Sequence, residues 1–225
     1  MNAREEFQTI AHAALSGDEG LATLKVSGDD GAIRYSVDPG ELPSKLAKTE
    51  YHPRPSFRRE DVVCLLAETL WSRWTRFDAN NGQLCLPTRD ELYGLRDHYD
   101  TCRSPLDCGG GWYDLLNAVF RMAAQAGAKD WWTYDVKEKF GGLRIAYSAG
   151  PGLTPESLAR LDRIVDAAEH LSEHICEECG APGQIRDGGW IRTLCDVHAG
   201  GGDPRQALVP RELPDFIKKA PEDDD

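Results

Sequence analysis

The chain has 225 residues, 40% of them hydrophobic and 28% charged, with a formal net charge of −12. That length suffices to bury a core without staples, and no stretch approaches the ~18 apolar residues that a membrane-spanning helix needs. The negative charge opposes close approach to nucleic-acid phosphates unless a local basic patch overcomes the field of the whole molecule.

The first residues, MNAREEFQTIAHAAL, carry early acids and lack a basic leader joined to a long apolar run, so the expected location is the cytoplasm. Residues 3–15 read as a short amphipathic helix. The runs LATLKV and AIRYSV then flank Gly28-Asp29-Asp30-Gly31, a composition that suits a hairpin turn. From Asp38 to Ser56, Pro39, Pro43, Pro53 and Pro55 remove backbone donors and predict an extended surface connector. Val62, Val63, Leu66, Leu70, Trp74 and Phe77 recur at helical spacing behind Ser56, a candidate cap, and predict a buried helix over 57–77. The segment Asp78 to Gly82 is turn chemistry, Thr88 is placed to cap a further helix, and residues 101–110 look irregular.

Gly109, Gly110 and Gly111 precede WYDLLNAVFRMAAQAG, in which Trp112, Leu115, Leu116, Val119 and Ala123 share one face and Gly127 ends the helix. A glycine run before a helix invites a phosphate-loop reading, but neither a P-loop Lys-Ser/Thr pair nor a dinucleotide fingerprint is present, and a plain turn is the better expectation. In WWTYDVKEKFGGLRIAYS, Trp132, Tyr134, Val136 and Phe140 are expected on one side of a strand, with Gly141-Gly142 turning into Leu143, Ile145 and Tyr147. Thr154 and Pro155 open the next helix, whose stripe is Leu158, Leu161, Ile164, Val165, Ala168, Leu171 and Ile175.

That helix runs into CEECGAPGQIRDGGWIRTLCDVH, which is Cys-x2-Cys, fifteen residues, then Cys-x2-His. Two residues between ligands let one tight knuckle aim both donors at a single ion, and Gly180 suits the positive φ such a knuckle uses. Gln184 to Arg186 and Trp190 to Leu194 are expected to pair around Asp187-Gly188-Gly189, returning the second ligand pair beside the first as a zinc ribbon. Cys176, Cys179, Cys195 and His198 would then hold one structural Zn2+. Three thiolates and an imidazole fill the tetrahedron and leave no position for an activated water. A thiol redox centre is the competing reading of the Cys-x2-Cys, and His174 competes with His198 for the fourth position. His170 and His174 share a helix face with Glu169 and Glu173, which reads as solvated. Of seven cysteines, Cys64, Cys85, Cys102 and Cys108 have no metal or redox spacing and are expected as reduced thiols.

CGGGWYDLL at 108–116, VKEKFGGLR at 136–144, CEECGAPG at 176–183 and GWIRTLCDVH at 189–198 together resemble an uncharacterised family of bacterial and phage hypothetical proteins, over roughly residues 108–199. The resemblance implies a hairpin, helix and zinc-ribbon architecture and a phage or mobile-element setting, and carries no activity with it.

The expected fold is therefore α+β: a small front segment (1–52), a helical and hairpin core (53–175), a zinc ribbon (176–199) and a flexible acidic tail (200–225). The leading functional expectation is a binding or adaptor module for another protein, motivated by six tryptophans, among them the adjacent Trp131 and Trp132. Core packing is the competing role for each ring. Nucleic-acid binding through Arg186, Arg192, Lys137, Lys139 and Arg144 with Trp190 for stacking is the alternative, disfavoured by charge. An enzyme reading finds Asp135, Lys137, Glu138 and Asp97-His98, none forming a nucleophile, base and orienter set. The run Glu222 to Asp225 also raises acidic mimicry of nucleic acid, although such tails more often solubilise.

Overall fold

A computed structural model describes residues 2–28, 33–42, 57–187 and 189–200. The fold is α+β, with five α-helices and small sheets among the described residues. The expected tail from 201 onward, the turn residues 29–32, Ser56 and most of the proline-rich connector lie outside them.

Helix α1 (Ala3–Ala14) starts on a reciprocal cap: Asn2 Oδ1 accepts from Glu5 N at 2.9 Å and Glu5 Oε2 accepts from Asn2 N at 3.0 Å. Its stripe of Phe7, Ile10, Ala11 and Ala14 is buried. Strands β1 (Lys25–Ser27) and β2 (Arg34–Ser36) pair antiparallel as expected, but Leu21 to Thr23 belong to a 3-10 turn rather than a strand. The Asp18 side chain caps that turn through Gly20 N. The ends of the connector also differ from a loose crossing, because β3 (Glu41–Leu42) pairs with β4 (Phe57–Arg58) and buries Leu42 and Phe57.

Helix α2 (Arg59–Trp74) is shorter at both ends than predicted, since Phe57 belongs to β4 and Phe77 to β5 (Phe77–Asp78), which pairs with β6 (Gln83–Leu84). It packs against α1, α4 (Tyr113–Gln125) and α5 (Pro155–Ser172), which explains why Val62, Val63, Leu65, Leu66 and Leu70 are all buried. Helix α3 (Arg89–His98) uses the Thr88 cap, reciprocated by Glu91. The stretch 101–110 is not wholly irregular: β7 (Leu106–Asp107) runs parallel to β8 (Trp131–Lys139), which pairs antiparallel with β9 (Gly142–Ala149).

The hairpin β8–β9 corrects two expectations. The register shifts between Thr133 and Asp135, leaving Tyr134 as a bulge, so the inward residues are Trp131, Thr133 and Val136, while Tyr134 and Phe140 are exposed. An extra residue moves every later side chain to the other face, and plain alternation cannot anticipate it. The turn is Phe140-Gly141, with φ of 56° and 81°, not Gly141-Gly142.

Helix α5 is buried on more than its apolar stripe because β9, β4, α2 and α4 all pack against it. Contrary to a solvated face, Glu169 is buried and its Oε1 accepts from Ile145 N at 2.9 Å, while Ser172 Oγ accepts from Leu143 N at 2.8 Å. His170 Nε2 lies 2.7 Å from Ala14 O, and its ring packs between Phe57 and His174. Phe7 through Ile175 contribute to one apolar cluster, and Cys176, Cys179, Leu194 and Cys195 form a second.

Candidate metal centre

The chain leaves α5 at Ser172 and folds into the first knuckle. Gly180 N donates to Cys176 O at 2.8 Å with Gly180 at φ +74°, and Cys176 N donates to Ala181 O at 2.8 Å. Ile175 and Pro182 form a β-bridge that closes the base of this turn. Strands β10 (Gln184–Arg186) and β11 (Arg192–Leu194) then return the chain in antiparallel register. Trp190, expected in the second strand, stands before it and is exposed. The second knuckle closes through His198 N and Ala199 N, both donating to Cys195 O at 3.1 and 2.9 Å.

One donor atom from each of Cys176, Cys179, Cys195 and His198 lies within 4.8 Å of the others. Cys179 Sγ and Cys195 Sγ are 3.7 Å apart, Cys176 Sγ and His198 Nδ1 3.6 Å, and Cys195 Sγ and His198 Nδ1 3.2 Å. A tetrahedron with metal–sulfur bonds of about 2.3 Å has sulfur–sulfur edges of about 3.8 Å, so the donor set has the size that one ion requires. The three cysteines are buried and His198 is exposed. The hydrogen bond from Cys179 holds the Cys176 thiol down to about 4, against burial, with help from backbone donors of Cys195 and Cys179. The same shared proton pushes the Cys179 thiol up. A hydrogen bond donated to sulfur favours the thiolate, the form that binds metal. His198 rather than His174 completes the cluster; the His174 ring meets that of His170 edge-on, and its backbone oxygen accepts from Gly183 N at 2.9 Å.

The helical core grips this knuckle through its backbone. Gly111 N donates to Glu177 O at 2.8 Å, Trp112 Nε1 to Ile175 O at 2.8 Å, and Arg73 NH1 to Cys179 O at 2.5 Å. A Cβ on Gly109 would collide with Glu177 O, and one on Gly111 with Cys176 O and the amides of Cys179 and Gly180. Close backbone approach to the knuckle, not a phosphate, accounts for these glycines. Arg73, which no spacing singled out, is itself buried and ion-paired to Glu6 at 3.1 Å. Helix α2 also carries Arg59, Glu60, Asp61 and Glu68, so nothing in its sequence marked Arg73 out. From the other side, Thr193 Oγ1 donates to Gly141 O, joining the β8–β9 turn to β11.

No family model matches the sequence, and neither a curated protein nor a solved structure shows significant similarity to it. The site must therefore be read from its own chemistry.

The residues of the nucleic-acid expectation are mostly occupied. Arg186 is buried and paired with Asp196, Arg192 binds Glu177 and Glu178, and Lys137 binds Asp135. Trp112 and Trp131 are core residues, whereas Trp71 and Trp190 are exposed. Cys64, Cys85, Cys102 and Cys108 are free, and burial pushes the Cys102 and Cys108 thiols up to about 11 and 12, where a thiolate is scarce. No helix among the described residues is long and apolar enough to cross a membrane.

Proposed function

We propose that this chain is a zinc-stabilised binding module, in which Cys176, Cys179, Cys195 and His198 hold one structural Zn2+ and the folded surface serves as an adaptor for another protein. The observation that carries this reading is the closed donor set of three thiols and an imidazole at tetrahedral spacing, with its backbone carbonyls bound by Trp112, Gly111 and Arg73. Four protein donors leave no coordination position for a water or substrate. Soft sulfur donors with one imidazole select zinc over hard, oxygen-seeking cations. The ion, when bound, would cross-link the two knuckles and neutralise the thiolates. Reduced thiolate ligands suit the cytoplasm, and the resemblance of residues 108–199 supports a phage or mobile-element setting.

Elemental mass spectrometry of the purified chain tests the metal. One zinc per chain is expected, lost from Cys176→Ser and reduced in His198→Ala, with a melting temperature that falls on chelation. Absence of metal, or its retention in both variants, would overturn the reading. The neutralised Arg186 and Arg192 argue against nucleic acid as the partner. Salt-sensitive binding of short oligonucleotides would restore that alternative.

A further inference from the structure

We infer that the turn of the β8–β9 hairpin and the adjacent Trp190 form a docking surface for an acidic peptide segment of a partner protein, one that presents an apolar side chain beside carboxylates. The inference rests on the binding-module reading and names its contact surface and the chemistry of its partner.

Phe140 is the one non-glycine residue among those described with a positive φ, 56°, and the residue is 67% exposed. A two-residue turn of this hand is made most readily by Asn and Gly. An L-residue with a large side chain is strained there, and an exposed ring returns little burial. Backbone strain of this kind concentrates where a side chain must be presented rather than packed. Trp190 follows Gly189, which has φ +104°, and is 74% exposed. It is nevertheless oriented: its Nε1 donates to Glu138 Oε2 at 3.1 Å, while Glu138 Oε1 accepts from Gly141 N at 2.6 Å. One carboxylate thus fixes the indole beside the turn that carries Phe140, lowering the ordering cost of binding through both rings.

Charge selects the occupant. Lys139 Nζ lies 5.6 Å from the Phe140 ring centroid, and Arg144 folds back towards the turn, within 2.8 Å of where a Cβ on Gly142 would stand. No described carboxylate lies within ion-pair distance of either, whereas neighbouring Lys137, Arg186 and Arg192 are all paired. With the Glu138 carboxylate engaged by Trp190 and Gly141, two cations without carboxylate partners beside the exposed Phe140 ring complement a partly apolar peptide with a few acids, on which the −12 field of the chain acts less than on a polyphosphate backbone. Two phosphate contacts would add little to nucleic-acid affinity against that overall field.

The test is selection from a displayed random peptide library on the metal-loaded full chain, repeated with Phe140→Gly, Trp190→Ser and the pair Lys139→Glu/Arg144→Glu. Expected is enrichment of peptides with Asp or Glu next to Leu, Phe or Trp. Synthetic versions should lose affinity by about 30-fold in the Trp190 variant. Phe140→Gly should lose binding while its melting temperature holds or rises, which separates presentation from folding. The charge-reversed pair should enrich basic peptides instead. Enrichment without acids, or affinity indifferent to these substitutions, overturns the inference. So does tighter binding of a single-stranded 12-nucleotide DNA at this tip, or self-association of the chain that these variants abolish. Metal content is measured on every sample: a chain with one zinc and no such peptides sinks only this inference, whereas a chain without metal sinks the proposed function.

Discussion

Gly111 and Gly110 are adjacent and chemically identical, yet only Gly111 sits where a Cβ would strike the knuckle backbone; at Gly110 the nearest atom, Pro87 O, is 3.4 Å away. Gly111→Ala is therefore expected to weaken metal retention against a chelator and lower the melting temperature, while Gly110→Ala behaves nearly as wild type. Arg73 offers a second contrast. Its guanidinium bonds Glu6 at 3.1 and 3.3 Å and Cys179 O at 2.5 Å, all out of solvent. Replacing it with Met leaves the Glu6 carboxylate buried without its cation, a loss of about 3–5 kcal/mol. The double change with Glu6→Gln should recover part of that in urea denaturation, and no recovery would show the Cys179 contact to dominate. The four residues of the donor cluster were legible in the sequence because their spacing is local. Arg73 and the glycine contacts were not, because they depend on which distant backbone comes to lie beside them.

At the level of elements, β9 is an edge strand whose outward amides are taken by side chains of α5: Glu169 on Ile145 N and Ser172 on Leu143 N. Exposed edges invite pairing with other chains, and covering one with a helix prevents it. Glu169→Leu or Ser172→Ala leaves a buried N–H unmet, at about 1–3 kcal/mol each. Hydrogen exchange at Ile145 or Leu143 should quicken accordingly; unchanged exchange would mean that the helix shields the edge by packing alone. Periodicity found α1, α2, α4 and α5 because each keeps an apolar stripe, and the Thr88 cap pointed to α3. It mistook the Glu169 face because a charged residue facing a strand edge reads like one facing water. The Tyr134 bulge was hidden for a related reason, since nothing in WWTYDV distinguishes an inserted residue from an alternating one.

Across the whole molecule, the front of the chain is clamped to the core by Arg59, which is buried where a Cβ on either Gly20 or Gly40 would collide with it and which pairs with Asp18. The Arg59 hydrogen bond holds the Asp18 carboxyl below its ordinary range. The folded carboxylate thus takes up a proton less readily than the unfolded one. Its contribution is complete above the ordinary value of about 4 and fades as the pH falls through the lower folded value. Acid unfolding of Asp18→Asn should show a shallower loss below pH 4 than wild type; parallel curves would remove the pair from the account. Sequence patterning found the helices and the metal module but not this clamp, which joins residues 41 positions apart. The Arg73 bridge reaches further still, 67 positions back to Glu6 and 106 forward to Cys179. A ribosome releases Glu6 and Arg73 long before the knuckle, so a nascent chain can form their ion pair while one N–H of the guanidinium still lacks its acceptor. Burial of that arginine is completed only when Cys179 emerges and offers its carbonyl, so helix α1 and the first cysteine knuckle are finished together although they leave the ribosome far apart in time.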